Sequence, residues 1–550
     1  MPATNHWAYK ALNAAVENKL LNGDNNKLNP ETNLSRAEMA AIINRAFGAV
    51  QMADINTYKD VPKTSWYYND IAKAVQMGTF SGDGTGTMRP ESAITRQESF
   101  VVLARAIKLS SGNASVLDKY SDKALVADWA KSELAAMVAA GYIDGSNGNL
   151  NPTGTITRQE FAQVMYNMIK SYVSKAGTVT EVAAGNVMVN VAGVTLKNLT
   201  IKGDLIVGEG VGNGDFILDN VKIEGRLVVR GGGKNSIKII NHSSVGDIVV
   251  SKTSDGAVRV VADSTSSVEV VYVDDGKDGI IVEGTVSSLT IAATIDVEVK
   301  GTVKNVVVTE EAKGAEIVVA TGAVIEKLVT EASGVTVGGD GKITEAAVKG
   351  DNTAINVIGA KVIVDTGVKG TTTNGQSVEG GKEVVVDKPT TPAGGGGGGG
   401  TPPAVSYESQ IETLFGQGIL ELNNMQDDSD LAFTNTTNSI TCKINSTNTD
   451  IDVAIQTIRN GLDAQTAERK SHIRDIIATY VDTIKVVKND NSIVTLDVRS
   501  SMPSTELETF LLDSFTLTNG DLLSAYIGLH YSIIVTDVNG NSFTYTLTFS

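Results

Sequence analysis

Cysteine and long apolar runs are nearly missing from this 550-residue chain. Its one cysteine, Cys442, cannot form an intramolecular disulfide, and no residues around it have metal-ligand spacing. No run of about 20 apolar residues occurs, so the sequence offers no transmembrane helix. The chain start lacks the charged-then-apolar pattern of a signal peptide. We therefore expect no disulfide, metal, cofactor or membrane span.

Basic residues are outnumbered overall. The chain has 46 Lys and Arg against 63 Asp and Glu, a net charge of −17, and no Lys/Arg-rich run. This composition excludes the electrostatic footprint expected for nucleic acid or an anionic membrane. Any anionic ligand must therefore be held by locally placed groups. The length predicts about three or four domains.

Tryptophan occurs only three times, and its positions reveal an internal repeat. Each tryptophan is followed sixteen residues later by a glycine, then by a proline and a Ser/Thr-Arg-x-Glu segment. The pairs are Trp7 with Gly23, Trp66 with Gly82, and Trp129 with Gly145. This shared phase predicts three copies of one unit, over residues 1–48, 49–110 and 111–175.

Each unit has the pattern of a helix, a loop and a second helix. Residues such as Ala8 to Leu21 show apolar helical periodicity, and a Gly/Asn/Asp loop ending in proline follows. The second helix begins with a capping box, in which a Ser or Thr precedes a glutamate by three residues. The three boxes are Ser35 with Glu38, Thr95 with Glu98, and Thr157 with Glu160.

Residues 176–388 change to a composition rich in Val, Ile, Gly and Thr, without proline. Short alternating strands recur with a period near 21 residues, beginning at Val194, Phe216, Ile237, Val258 and Ile280. The pattern predicts a parallel β-helix, from which proline is absent because it would delete a ladder donor. About nine coils would form a stalk roughly 45 Å long.

A Pro/Gly linker over residues 389–404 separates this solenoid from a C-terminal region, residues 405–550. That region is mixed and predicts a small α+β domain, with helices near Tyr407–Gly416 and Asp463–Asp482. Asn539-Gly540 lies between two alternating strands and predicts a hairpin. The fold expected is therefore multidomain, with all-α, parallel β-helix and α+β parts.

The three N-terminal copies resemble S-layer homology domains in their tryptophan, loop glycine, proline and Thr-Arg-x-Glu segment. The resemblance implies a pseudo-threefold spindle with the second helices in a central bundle. It also implies that a secondary cell-wall polysaccharide, typically with pyruvylated N-acetylmannosamine, binds in grooves between units. The residues carried over are Trp7, Gly23, Arg36, Asp60, Trp66, Gly82, Arg96, Asp122, Trp129, Gly145 and Arg158.

The chemistry of these residues suits an acidic sugar. A guanidinium offers a carboxylate a planar bidentate fork, and each arginine lies in a helix first turn, where free amides favour an anion. Structural alternatives stay open. The tryptophans can be core residues, the glycines can be turns that need positive φ, and the arginines can form salt bridges within the bundle. The capping-box glutamates are assigned to capping alone.

The first unit lacks the family aspartate, whose counterpart would fall at or before Met1. We expect that segment and a signal peptide to lie upstream of this chain. The alternative is a degenerate terminal repeat. On the sequence we pair Asp60 with Arg96 and Asp122 with Arg158, and expect Arg36 to matter least for binding.

The solenoid carries Asp204, Arg226 and Asp247 at matching points of consecutive coils. A charge ladder between coils is favoured over catalysis, so no catalytic residue is expected. The chain is then interpreted as an extracellular cell-wall protein of the S-layer type that displays a solenoid stalk and a distal domain. Its expected partners are the wall polysaccharide and further copies in a surface layer. The rival hypothesis is a wall-tethered enzyme acting on polysaccharide.

Overall fold

The computed structural model describes residues 1–23, 27–276 and 278–387, together with six strands between residues 431 and 549. The chain folds as two compact units, Met1–Ala393 and Gly394–Ser550. The linker predicted at 389–404, the helix predicted at 407–416 and residues 463–480 of the helix predicted at 463–482 lie outside the described residues.

Two α-helices form each N-terminal unit. They are α1 Tyr9–Glu17, α2 Arg36–Phe47, α3 Tyr68–Gln76, α4 Arg96–Ala106, α5 Lys131–Ala139 and α6 Arg158–Met168, with 3-10 turns at Ala114–Lys119, Lys123–Leu125 and Asp128–Ala130. At the start of α2, Ser35 Oγ accepts from the Glu38 amide at 3.1 Å, and Glu38 Oε2 accepts from the Ser35 amide at 2.8 Å. The same reciprocal pair begins α4 and α6. All three predicted capping boxes are confirmed.

A closed ring of backbone hydrogen bonds joins the three units around one axis. The Leu34 amide donates to Ile156 O at 2.9 Å, the Ile94 amide to Leu34 O at 2.9 Å, and the Ile156 amide to Ile94 O at 3.2 Å. Each second helix packs on the first helix of the following unit: α2 on α3, α4 on α5, and α6 on α1. The expected pseudo-trimer is confirmed, with second helices that are mostly buried.

A parallel β-solenoid of about ten coils follows. Its strands are β1 Ser171–Val173, β2 Gly177–Val179, β3 Val187–Val189, β4 Val194–Ile201, β5 Leu205–Val207, β6 Phe216–Val229, β7 Lys238–Ile240, β8 Ser244–Lys252, β9 Val258–Ala262, β10 Ser267–Gly276, β11 Ile280–Glu283, β12 Thr285–Ile291, β13 Asp296–Val299, β14 Thr302–Val308, β15 Glu316–Val319, β16 Val324–Thr330, β17 Thr336–Gly338, β18 Lys342–Val348, β19 Ala354–Ile355, β20 Lys361–Val364, β21 Thr371–Thr373, β22 Gln376–Val378 and β23 Glu383–Val385. A 3-10 turn spans Glu209–Val211.

Strands β1 to β21 pair in parallel with strands one coil away. Val194 lies beside Phe216, and Val258 beside Ile280, as the 21-residue period predicts. The β-helix is confirmed, but it begins at Ser171, because β1 already pairs with β3, and not at 176. At the other end β22 and β23 fold back antiparallel on β21 and β20. This return covers the last coil, where an open edge would otherwise invite pairing with another chain.

The helical module lies against the flank of the solenoid, not at its end. In β3, β5 and β6 the side chains of Met188, Ile206 and Val228 point outward and join the helical core, while their strand neighbours fill the solenoid interior. All three are fully buried. Outward-facing residues in a solenoid normally meet water, so their burial shows that the two parts share one apolar interface.

The described strands of the second compact unit form a six-stranded sheet. They are β24 Leu431–Thr436, β25 Ser439–Ile444, β26 Val481–Val487, β27 Ile493–Asp497, β28 His530–Asp537 and β29 Ser542–Phe549, in the order β24-β25-β29-β28-β26-β27. The antiparallel pairing of β28 with β29 confirms the predicted hairpin, while its Asn539-Gly540 turn lies outside the described residues. Residues 481 and 482, predicted as the end of a helix, belong to β26, so that part of the helix prediction is wrong.

Candidate functional site

The arginine that begins each second helix reaches into the following unit. Arg36 Nη1 lies 3.1 Å from Glu98 Oε1, its Nε donates to Met88 O at 2.8 Å, and its Nη2 donates to Ser81 O at 3.3 Å. Only 6% of Arg36 is exposed. Arg36 thus joins unit one to the loop of unit two that carries Gly82. We call this contact the first junction.

The same contact recurs twice and closes the ring. At the second junction Arg96 Nε donates to Leu150 O at 2.9 Å and Nη1 lies 3.1 Å from Glu160 Oε1. At the third junction Arg158 Nη1 lies 2.7 Å from Glu38 Oε1. Its Nε donates to Leu28 O at 3.0 Å and its Nη2 to Asn22 O at 2.8 Å. The salt-bridge alternative for the arginines is therefore realised at every junction.

The amides at the starts of these helices are not free. The Arg36 amide donates to Ser92 O at 3.0 Å, and the Ala37 amide to Pro90 O at 2.8 Å, both in unit two. Equivalent bonds begin α4 and α6. The expectation of free first-turn amides for an anion is wrong, because the neighbouring unit's carbonyls occupy them. Any anion must be held by side chains.

The family aspartates hold the loops that receive the arginines. Asp60 accepts from the Met88 amide at 2.9 Å and the Arg89 amide at 2.6 Å. Asp122 accepts from the Leu150 and Asn151 amides at 2.9 and 2.7 Å. Each aspartate therefore fixes the residue whose carbonyl binds an arginine Nε.

These contacts correct the pairing assigned from the sequence. Asp60 shares the first junction with Arg36, and Asp122 shares the second with Arg96. The arginine whose junction has no family aspartate is Arg158, which contacts unit one. The pairs differ from those assigned because each arginine contacts the next unit around the ring and not the loop of its own unit.

The loop glycines have two different reasons to lack a side chain. Gly145 has φ +65°, as the turn alternative requires, and a β-carbon there would overlap Asn149 O. Gly82 and Gly23 do not have positive φ. A β-carbon at Gly82 would collide with the Tyr58 ring and stand 2.7 Å from Thr87 O, and one at Gly23 would stand 2.9 Å from Lys27 O. All three glycines close tight loops.

The three tryptophans lie on the surface. Trp7, Trp66 and Trp129 are 56%, 63% and 52% exposed, and each lies immediately before the first helix of its unit. The Trp66 ring meets Tyr67 edge-on with centroids 5.5 Å apart. The core alternative for the tryptophans is therefore wrong. Each ring therefore presents an apolar face at the surface, at the same place in every repeat, where a ligand can stack on it.

The second junction keeps an arginine donor open. Nη2 of Arg36 and of Arg158 each donates to a backbone carbonyl, whereas Nη2 of Arg96 donates to no acceptor among the described residues. Burial lowers the pKa of Arg96 from its ordinary value, and Glu160 and Asp122 oppose that change. Arg96 remains charged at neutral pH and can offer one N–H edge to a carboxylate.

Sequence reasoning missed a second role of the capping-box glutamates. Glu98 caps its own helix through Oε2 and binds Arg36 through Oε1, and Glu160 and Glu38 do the same for Arg96 and Arg158. The signal was present, since arginine and glutamate stand two residues apart in every unit. Their fixed spacing puts them on different sides of the helix start, so the arginine and the glutamate of one unit do not pair with each other, and each pairs with its counterpart in another unit.

The charged residues singled out in the solenoid form a ladder. Arg226 Nη2 lies 2.6 Å from Asp204 Oδ2 one coil away, and Asp247 stands beside Arg226 in the next coil. Arg226 also donates to Lys108 O and Ile107 O in the helical module. The ladder alternative holds for Asp204 and Arg226. The sequence did not indicate the further contact of Arg226 with the helical module.

Comparison with known families agrees with the repeat. The S-layer homology domain model matches residues 3–40, 57–98 and 119–162, one stretch in each unit. Among the helices that the structure describes, none combines the length and apolarity needed to cross a bilayer.

The similar proteins match this chain over a stretch about as long as the three units. The "Surface-layer 125 kDa protein" of Lysinibacillus sphaericus is 38% identical over 170 residues, which is 30% of this chain and 14% of that protein. "S-layer protein sap" of Bacillus anthracis is 26% identical over 181 residues, 32% of this chain and 22% of that protein. "Exoglucanase XynX" of Acetivibrio thermocellus is 28% identical over 170 residues, 30% of this chain and 16% of that protein. The chain therefore spans less than a quarter of these relatives.

Proposed function

We propose that the three S-layer homology units of this chain hold it non-covalently on a cell wall by binding an anionic wall polysaccharide. The observation that carries the proposal is the ring itself: three inter-unit arginine junctions, with one half-exposed indole in every unit. The matched family and the surface-layer names of two relatives support the same location. The chain is then a cell-surface protein.

The ligand chemistry follows from the side chains. A sugar ring can stack on an exposed indole, because both present flat apolar faces. A pyruvyl ketal adds a carboxylate, which an arginine edge binds through charge-assisted hydrogen bonds. We therefore propose pyruvylated N-acetylmannosamine as the recognised group. The residues proposed to form its binding sites, by direct contact or by shaping the loops, are Trp7, Trp66, Trp129, Arg36, Arg96, Arg158, Asp60, Asp122, Gly23, Gly82 and Gly145.

The junctions differ, so we propose that the second junction binds most tightly. Arg96 has an unused donor, and Asp122 holds the opposing loop in place. Arg36 is more deeply buried and uses Nη2 on Ser81 O. At the third junction Arg158 uses Nη2 on Asn22 O and faces the unit that lacks the family aspartate. Asp60 and Asp122 contribute by shaping loops, not by contacting the sugar through a free carboxylate.

Co-sedimentation with purified sacculi tests the proposal. The full chain should pellet with sacculi that retain their polysaccharide and stay in solution with sacculi stripped of it. A cut at residue 175 would break the flank interface, so point variants of the intact chain are preferable. Equal pelleting with both sacculi would contradict polysaccharide binding, and so would no pelleting with either.

A wall-tethered polysaccharide-active enzyme is the second candidate. The names "Exoglucanase XynX" and "Amylopullulanase" among the similar proteins favour it, although their matches span 170 residues each. A screen of wall and plant polysaccharides against the full chain distinguishes the two. Chain cleavage that survives repurification would establish the enzyme, and its absence would leave display at the surface as the function.

A further inference from the structure

The helical module has two functionally distinct ends. The second helices begin at the junctions, with Arg36, Arg96 and Arg158, and all three end on the solenoid. At the end of α2, Gly48 packs against Gly210, and beyond α4 the carbonyls of Ile107 and Lys108 accept from Arg226. The chain after α6 continues directly into β1. A helix of 12 residues is about 18 Å long, which separates the junctions from the solenoid.

The contact surface runs along the solenoid. Contacts with the module come from five successive coils, which carry β3, β5, β6, β8 and β10. The polar contacts are Asn186 Nδ2 to Tyr142 Oη at 2.7 Å, Arg226 to the α4 end, Arg230 to Met77 O beside Phe47, Thr253 O from Gln76 Nε2 at 2.6 Å, and Asp274 with Lys108 Nζ at 2.7 Å. The coil of β5 contributes the apolar contact of Ile206. Four spacings of about 4.8 Å make this footprint roughly 19 Å long. Docking on one end of the solenoid could not produce it.

Buried polar and apolar contacts hold the helical module on the solenoid. Arg230 is completely buried, its guanidinium lies 5.9 Å from the Phe47 ring centre, and it donates to Met77 O and pairs with Glu209 at 3.5 Å. Separating the two parts would expose Met188, Ile206 and Val228 and strip Arg230 of its partners in the module. Helix carboxyl ends also favour a cation through their dipole. Module and solenoid therefore move as one body.

We infer that wall binding lays the solenoid along the wall, with the helical module between the two. This inference rests on the proposed function, because it takes the junction end as the end that meets the polysaccharide. Since the module docks on the flank, the junction end points away from the flank and across the solenoid axis. The solenoid is then not an upright stalk, as the sequence suggested, but a rod whose two ends lie at similar heights above the wall.

Energy transfer to a labelled wall tests this orientation. In a Cys442→Ser background, single cysteines replace Thr178 in β2 or Gln376 in β22, which are exposed and belong to the same stack of strands at opposite ends. Each variant carries a donor dye and is bound to sacculi carrying an acceptor dye. Ten spacings separate β2 from β21, so an upright solenoid would put one label about 48 Å farther from the wall than the other.

The outcomes separate the two proposals. Equal transfer efficiency from both labels, in pellets that form only with unstripped sacculi, is the expected result. Strong transfer from one label and loss of transfer from the other would overturn the flat orientation while leaving wall binding intact. Failure of both labelled proteins and of the unlabelled chain to pellet would overturn wall binding, and the orientation with it.

Discussion

Glu98 and Arg36 lie in different units, yet one carboxylate joins both, because Oε2 caps α4 at the Thr95 amide at 2.9 Å while Oε1 lies 3.1 Å from Arg36 Nη1. The same double use by Glu160 and Glu38 ties the start of each second helix to the unit before it. Helix initiation and assembly of the three units are therefore coupled through single side chains.

This coupling predicts a large cost for removing Glu98. Glu98→Ala should destabilise the first compact unit by about 3–5 kcal/mol, because it leaves Arg36 buried without its counter-ion and removes half a capping box. Thermal unfolding followed by circular dichroism measures this. Glu91→Ala, an exposed glutamate beside the same loop, is the control and should stay within about 0.5 kcal/mol. Equal shifts for the two variants would contradict the coupling.

Acid should weaken the ring in a defined window. Burial raises the pKa of Glu98, but hydrogen bonds from Thr95 and the charge of Arg36 outweigh burial and hold it below its ordinary value. A carboxyl with a depressed folded-state pKa stabilises the fold above its unfolded pKa of about 4.3, and this contribution is lost as pH falls further. Urea unfolding of wild type and Glu98→Gln between pH 6 and 3 should show a smaller pH dependence in the variant. Parallel curves would refute this role.

The exposed indoles should matter for binding and not for stability. Trp66→Ala and Trp129→Ala should each reduce pelleting with sacculi while shifting the free energy of unfolding by less than about 1 kcal/mol, because both rings are more than half exposed. Tyr272→Ala is a matched control, since Tyr272 is a 37% exposed aromatic residue on the solenoid. Loss of pelleting in the control, or none in the tryptophan variants, would rule out indole stacking on the polysaccharide.

The three junction arginines should differ in how much they contribute to the affinity for the ligand. Titration of a pyruvylated wall disaccharide should show the greatest loss for Arg96→Lys, about tenfold or 1.4 kcal/mol, because lysine cannot keep Glu160 and Leu150 O while offering a further edge. Arg158→Lys should change the affinity least. Arg105→Lys, a half-exposed arginine at the end of α4, controls for charge-neutral replacement. If Arg158→Lys causes the greatest loss, the open donor of Arg96 is irrelevant.

Replacing Arg226, the solenoid arginine at the interface, should reduce stability more than replacing its neighbour Asp247. Arg226→Ala should cost about 2–4 kcal/mol, because it leaves Asp204 half-buried without its partner and removes the donors to Ile107 O and Lys108 O. Asp247→Ala should cost less than about 1 kcal/mol. Chemical denaturation measures the free energy of unfolding of both variants. Similar small losses of stability in the two would support a ladder without a docking role.

Local patterns in the sequence established the elements. The capping boxes operate over three residues, and the period near 21 residues repeats one ladder contact in each of the early coils, so both could be predicted without knowing what lies across the fold. The same holds for the hairpin of β28 and β29. For the loop glycines the sequence left open the alternative of turns that need positive φ, and of the three only Gly145 has it.

Tertiary structure decided which residues meet. Closure of the ring joins Arg36 to residues 45 to 62 positions away, and Arg158 to Glu38, 120 positions away, in a direction that no local spacing encodes. The flank interface could not be predicted from the sequence either. The apolar triplets of β3, β5 and β6 are buried on both faces, whereas in the equally apolar triplet Val306-Val307-Val308 of β14 the middle side chain is only partly buried, so the sequence alone does not distinguish them. The sequence determined that these side chains avoid water, but only folding determined what covers them, because apolar burial has no direction of its own.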